Sequence, residues 1–205
     1  MILSILIATI PERYPVFIRL LNDLMRQVYR MNNEHPTLGM VEIIFDDSVK
    51  FTEGGKSIGG KRNDLRQRAT GKYSIFLDDD EVVAPNYVET IVRMCQKDAD
   101  VVTFRVLFKS DHYWSVLNLS LENKKDEQAN PDDIIQRRVW HVCAIKTDIT
   151  KKEHFSEINH NEDGDWLKRI IPLLKSEVHT DAILLQYNHS EENSEADKIL
   201  KLGYR

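Results

Sequence analysis

Apolar and polar positions along the chain switch between two periods, and the switches mark its elements. Ile2 to Thr9 is a short, mostly apolar run that predicts a buried strand. From Pro15 the spacing becomes helical, with Val16, Phe17, Leu20, Leu21, Leu24 and Val28 on one face. A loop with Asn32, Asn33, Pro36 and Gly39 leads to a second β-like run, Val41 to Phe45. The stretch from Lys50 to Gly60 is glycine-rich and runs into KRNDLRQRATG, a predicted helix with Gly71 as its C-cap. A third uncharged run, Tyr73 to Leu77, predicts another buried strand, and Pro85 opens a helix to about Lys97 with Val88, Ile91, Val92 and Cys95 inward. Ala99 to Phe108 is a fourth strand. The alternation β-α-β-α-β-α-β predicts an α/β domain with a largely parallel sheet.

After Phe108 the periodicity is less regular. Tyr113 to Leu121 predicts a strand, residues 122–133 a charged surface loop, and Ile134 to Thr147 a β-like run carrying Trp140 and His141. Trp166, Leu167, Ile170, Ile171 and Leu174 share a face of a helix from about Gly164 to Leu174, with Pro172 bending its end. Ile183 to Tyr187 is a last strand, and the tail SEENSEADKILKLGYR predicts a terminal helix packed through Ile199 and Leu202.

Composition narrows the class. With 205 residues, 41% hydrophobic and 30% charged, the chain has the make-up of one soluble globular domain spanning 1–205. A net charge of -5 supplies no general attraction to phosphate backbones, so nucleic-acid binding would need a local basic patch, for which Arg137, Arg138, Lys151 and Lys152 are the candidates. The start, MILSILIATIPER, is too short and too soon interrupted for a signal peptide or a membrane span. Cys95 and Cys143 form neither a disulfide framework nor a zinc set, and both are expected as packing residues in a cytoplasmic protein.

The chemistry lies at strand ends. The third strand stops abruptly in Asp78, Asp79, Asp80 and Glu81, the second in Asp46 and Asp47. Alternation along an extended chain would send Asp78 and Asp80 to one side and Asp79 and Glu81 to the other. Carboxylates so close repel unless protons, basic side chains or a divalent cation compensate them, and an all-oxygen set suits Mg²⁺ or Mn²⁺. Open α/β sheets place ligands at this edge. The Gly-Gly-Lys-Arg opening of the basic helix would suit an anion, although it lacks P-loop spacing. His160-Asn161-Glu162-Asp163 precedes the late helix, where acids also act as caps.

Together these pieces resemble the family-2 glycosyltransferases of the GT-A (nucleotide-diphospho-sugar transferase) fold. The resemblance is carried by LSILIATIPER, EIIFDDS, IGGKRNDLRQRATGKYSIFLDDDE, NEDGDW and YNH over nearly the whole chain. It implies a mostly parallel central sheet flanked by helices, with residues 1–108 as the donor nucleotide-binding half and 109–205 as the acceptor half. It implies that Thr9, Glu12 and Arg13 border the base and ribose, that Asp46 and Asp47 meet the base, that Lys61 and Asn63 line the pyrophosphate, and that Asp78 and Asp79 meet the ribose. Asp80, the end of the Asp-x-Asp motif, would hold Mn²⁺ or Mg²⁺, with His189 as a further ligand. Asp163 of the Glu162-Asp163 pair would be the base, with Glu162 and Asp165 as alternatives. The implied reaction moves one sugar, with inversion, from a nucleotide-diphospho-sugar (UDP by default) to an acceptor hydroxyl on a saccharide, a glycan or a modified nucleic-acid base.

Two other classes compete. Asp78-x-Asp80 after an apolar strand also matches the opening motif of haloacid-dehalogenase-type phosphatases, but that motif belongs on a first strand. The same fold could also bind a nucleotide without transferring anything, against which the Glu162-Asp163 pair speaks.

Overall fold

The computed structural model describes residues 1–49, 53–128 and 133–189. The predicted terminal helix therefore lies outside the described residues. In chain order the elements are β1 (Leu3–Ala8), α1 (Tyr14–Glu34), β2 (Val41–Asp46), α2 (Ile58–Arg68), β3 (Tyr73–Asp78), β4 (Val82–Val83), α3 (Tyr87–Cys95), β5 (Val101–Lys109), β6 (Trp114–Leu119), β7 (Ile134–Arg137), β8 (Ala144–Lys146), α4 (Thr147–Thr150), α5 (Glu162–Ile170) and β9 (Glu177–Asn188).

Among these residues the strands form one sheet ordered β2-β1-β3-β8-β5-β6-β7, with β9 beside β5 and β4 beside β9. The first three are parallel, and Leu3, Ile5, Leu6 and Ile7 of β1 are fully buried, as a strand covered on both faces requires. The chain leaves β1 toward β2 and then crosses back to β3, so right-handed connections put α1 and α2 on opposite faces. This reversal leaves a crevice beyond the carboxyl ends of β1 and β3, where ligands bind in such sheets. The β1 residues Leu3, Ile5, Leu6 and Ile7 contribute about 1.5–3 kcal/mol apiece by leaving water.

The sheet is mixed rather than largely parallel. β8 runs antiparallel to both β3 and β5, and β5 runs antiparallel to β6. Period-2 patterning is the same for both strand directions and says nothing of neighbours, so the run from Ile134 to Thr147 does not show that it breaks at residues 138–143 into β7 at one edge of the sheet and β8 between β3 and β5. The last strand also begins earlier than its apolar core, because Glu177 to His179 pair with β5 while staying half-buried or exposed.

Two glycines differ from expectation. α2 ends at Arg68 with Ala69 as its cap, so Gly71 caps nothing. Its place is set by contact, since a Cβ there would lie 2.6 Å from the Ser4 nitrogen. A Cβ on Gly59 would overlap the Ser156 carbonyl oxygen. Both cysteines are buried, and burial pushes each thiol up to about 12, consistent with packing roles.

Candidate active site

The acids at the end of β3 do not alternate, because the strand stops at Asp78 and the chain turns through Asp79 and Asp80. Each carboxylate finds a different partner. Asp79 is buried and accepts from Thr9 Oγ1 at 2.7 Å and from Arg13 Nε and Nη2 at 2.8 and 2.6 Å. Arg13 also reaches Asp80 at 2.8 Å, and the Asp79 hydrogen bond holds its guanidinium firmly protonated. Thr9 and Arg13, expected at base and ribose, thus close on Asp79, while Glu12 lies exposed in the turn between them and α1.

Asp78 is paired with Arg62 at 2.8 Å and lies 3.7 Å from His141 Nε2. Burial alone would raise its carboxyl; the Arg62 and His141 charges overcome this and hold it well below the usual range. Glu81 folds back so that its carboxylate accepts from the Asp78 nitrogen at 3.2 Å, while its Oε1 is buried without a hydrogen-bond partner. Burial, with Asp78 beside it, pushes Glu81 well above the glutamate range. Asp80 stays half-exposed, and burial together with Asp78 and Asp79 raises its carboxyl in spite of Arg13.

Arg62 is buried and carries the site across the molecule. Its Nη2 meets Asp78, its Nη1 lies 3.0 Å from Glu162, and its guanidinium sits 5.9 and 5.7 Å from the ring centres of Phe76 and Phe155. Those rings pack with Trp166 of α5, Phe155 stacking on it at 4.5 Å. Glu162 is buried, and burial raises its carboxyl against the pull of Arg62. Asp163 remains partly exposed, with its Oδ2 3.0 Å from His141 Nδ1 and accepting from Trp140 Nε1 at 3.2 Å. Burial opposes its charge, but His141 and Arg62 hold it far below the aspartate range. Asp165 is engaged elsewhere, by Ser156 and by Arg169 at 2.6 Å each.

The start of α2 is not open to an anion. Ser57 Oγ accepts from the Gly60 nitrogen at 3.1 Å, Asn159 Oδ1 from Ile58 at 3.0 Å, and the Ile158 carbonyl from Gly59 at 3.1 Å. The free N–H groups expected there are therefore spent within the protein. Lys61, buried, donates to the carbonyls of Thr9 (2.6 Å) and Ser48, tying the ends of β1 and β2 together. Asn63 is closed on the backbone of Phe155 by both ends of its amide, at 2.9 and 2.8 Å. Asp46 accepts from the Ser48 nitrogen at 3.0 Å, and Asp47 from the Tyr14 hydroxyl.

The end of β9 approaches the same turn. Asn188 donates to the Asp80 carbonyl at 3.4 Å, and His189 stacks on Phe108 with ring centres 5.7 Å apart. Tyr187 lies between Trp140 and Phe108, and burial, then Asp78, Glu81, Asp80 and Asp163, push its hydroxyl upward. Arg62, His141, Trp140 and Tyr187 are the residues not anticipated as part of the site. Their sequence signals were only an arginine in a basic helix and aromatics in β-like runs.

A divalent ion can be tested against these groups. Six carboxyl groups (Asp78, Asp79, Asp80, Glu81, Glu162, Asp163) face three cationic side chains (Arg13, Arg62, His141). Asp78, Glu81 and His141 bring ligand atoms within 4.8 Å of one another, but Arg62 already pairs with Asp78 in that corner. The half-exposed Asp80, raised by its neighbours' charge, is the carboxylate that a hard cation would relieve, so the acidic turn fits such an ion.

The parallel start of the sheet, its acid-tipped third strand and the curled mixed second half define a GT-A fold. The family model described as Glycosyl transferase family 2 matches residues 4–152, and the chain belongs to that family. Among solved structures, S. aureus TarS 1-349 in complex with UDP-GlcNAc has a TM-score of 0.62 at 12% identity, covering 92% of this chain and 59% of that one. The same protein in complex with UDP gives 0.63 at 14% identity, covering 94% and 62%. The chain thus spans about three-fifths of the length of those structures, and at such identities the likeness is one of fold. No match to a curated protein was found. Among the described residues no helix is long and apolar enough to cross a membrane.

Proposed function

We propose that this chain is a metal-dependent, inverting glycosyltransferase that moves one sugar from a nucleotide-diphospho-sugar to an acceptor hydroxyl. The observation that carries the proposal is that Asp163, an ionised and partly exposed carboxylate, and Asp78, the last residue of β3, lie on either side of the His141 ring. A carboxylate in that state can take the proton of an attacking hydroxyl. Attack by one base opposite the leaving group inverts the anomeric carbon, and no second carboxylate nucleophile is needed.

In this scheme Asp46, Asp47 and Asp78 face the nucleoside, and Asp80, with His189 beside it, holds Mn²⁺ or Mg²⁺. That ion would offset charge on the departing diphosphate. Thr9, Arg13, Lys61 and Asn63 serve by fixing the turn and the strand ends rather than by touching the donor. UDP is adopted as the donor nucleotide because TarS, whose fold this chain shares, was solved with UDP and UDP-GlcNAc. The acceptor is a saccharide or glycan hydroxyl. Of the basic patch considered for nucleic acid, Arg137 and Arg138 close on Asp126, and Lys151 on the Ala69 carbonyl. Asp78 lies on the third strand in the grip of Arg62, which disfavours the phosphatase alternative.

A screen of nucleotide-sugars for Mn²⁺-dependent hydrolysis tests the proposal. Turnover should vanish in excess EDTA, and Asp80→Asn should weaken metal-dependent donor binding. Full activity in EDTA would sink the metal assignment; tight UDP binding with no cleavage of any donor would favour a non-catalytic binder.

A further inference from the structure

His141 is 2% exposed and sits in the connection between β7 and β8, its own carbonyl accepting from the Phe76 nitrogen of β3 at 3.4 Å. A histidine buried for packing alone is ordinarily neutral, with a ring N–H given to a carbonyl. Here both ring nitrogens face carboxylates. Nδ1 lies 3.0 Å from Asp163 Oδ2 and Nε2 3.7 Å from Asp78 Oδ2, neither aligned as a directed hydrogen bond. The other charged groups around the ring are Arg62 from α2, Glu162 from α5 and Glu81 from the turn after β3. Burial and Arg62 disfavour the imidazolium, and the two aspartates outweigh them.

The far side of Asp163 is fixed as well. Its Oδ1 accepts from the Gly164 nitrogen at 2.7 Å, while Oδ2 takes Trp140 and His141, consecutive residues of one turn. The carboxylate is therefore constrained about its own axis, and one ring touches both it and the donor-side Asp78. Without that ring, Asp163 would lose its nearest positive charge and one of the groups that set its rotation.

We propose that His141 is a positioning residue for sugar transfer: wedged between Asp78 and Asp163, its ring fixes the aim of Asp163 and registers it against the donor-side carboxylate. This rests on Asp163 being the base. Arg62 braces the neighbouring pair, Asp78 and Glu162, in the same manner.

The test uses His141→Gln and His141→Asn, both neutral and polar, in the full chain. Carboxyl ¹³C NMR follows Asp163, its signal identified by its loss in Asp163→Asn, and calorimetry with UDP and Mn²⁺ follows donor-side binding. In the wild type the Asp163 signal should stay ionised across the acid range in which the protein is folded. In either variant it should titrate at a clearly higher pH, with UDP affinity within about twofold of wild type. With a donor from the nucleotide-sugar screen, kcat should fall by up to about 100-fold at little changed KM, as for a misplaced catalytic group. An unchanged Asp163 titration in a folded variant overturns the proposal, as does a loss of UDP affinity equal to the loss of kcat. If Asp163→Asn turns over like the wild type, the base assignment itself has failed; that outcome is read without any His141 variant and removes the present proposal with it.

Discussion

The two edges of the sheet carry the same kinds of side chain to opposite effect. At the amino-terminal edge of β3 and β5, Lys72 and Lys146 pair with Asp98, and Lys146 also with Asp100, at 2.9 to 3.2 Å. Lys72 and Asp98 lie largely in water, Lys146 and Asp100 are half-buried, and the charges balance one another. At the carboxyl edge Arg62, His141, Glu81 and Glu162 are buried, and the acids outnumber the cations. Sequence alone does not separate DADV from LDDDE by type of residue; burial and imbalance do. A charge in water adjusts to its neighbour, whereas a buried one dictates the protonation of everything around it.

The largest effect should come from Asp163→Asn, which keeps the shape and removes the proton acceptor. Transfer should fall by about 10²–10⁴-fold with UDP binding intact; rates equal to wild type would refute the base. Next, Arg62→Met should cost about 3–5 kcal/mol of stability, because Asp78 and Glu162 would lose their buried counter-charge. Urea unfolding measures this, and a midpoint like that of the wild type would mean that water already reaches the pair.

The pH dependence should be smaller and opposite to acid denaturation. Glu81 and His141 both have pKa values raised by folding, so the stability they lend is present on the acid side and is lost as pH rises through their folded values. Asp78 and Asp163, both lowered, act in the other sense, losing their contribution only in strong acid. Glu81→Gln, which cannot ionise, should therefore flatten the fall in Tm between mildly acidic and mildly alkaline buffer. Parallel curves for variant and wild type would contradict a buried, protonated Glu81. Smallest of all, Lys72→Met at the opposite edge should leave both Tm and the rate close to wild type, since its pair with Asp98 is exposed and screened. A marked loss there would erase the distinction between the edges.

Much of residues 1–108 was legible because the elements there obey one period each. β1, α1, β2, β3 and α3 appear near their expected positions, since β2 packs Val41, Ile43 and Ile44 half-buried against the core and each of the others buries a contiguous apolar run or face. Residues 109–189 were less so, as β8 is three residues long and β9 begins with polar ones. Within the site, the acidic turn, Glu162 and Asp163 stood out as unexplained charge. Arg62 and His141 did not. α2 reads as a solvated basic helix, and nothing local shows that Lys61, Arg62 and Arg66 are buried, because the partners of Arg62 lie at positions 78 and 162. The same distance hides the partners of Asn63 and of the Gly59-Gly60 opening, which lie between 155 and 159 except for the Ser57 cap.

Gly59 has a consequence for the order in which the molecule can be made. The backbone of residues 156–158 fits against α2 only because residue 59 has no side chain, and Ile58 and Asn63 are held by Asn159 and Phe155. Closing a loop of roughly a hundred residues comes late and is entropically costly. The first three strands can therefore be synthesised and paired while α2 still lacks its seat. The family match ends at residue 152, just short of this lock and of both acids of α5. A nascent chain stopped there would hold the acidic turn without the segment that completes the crevice around it, so assembly delays function until the last third of the protein has arrived.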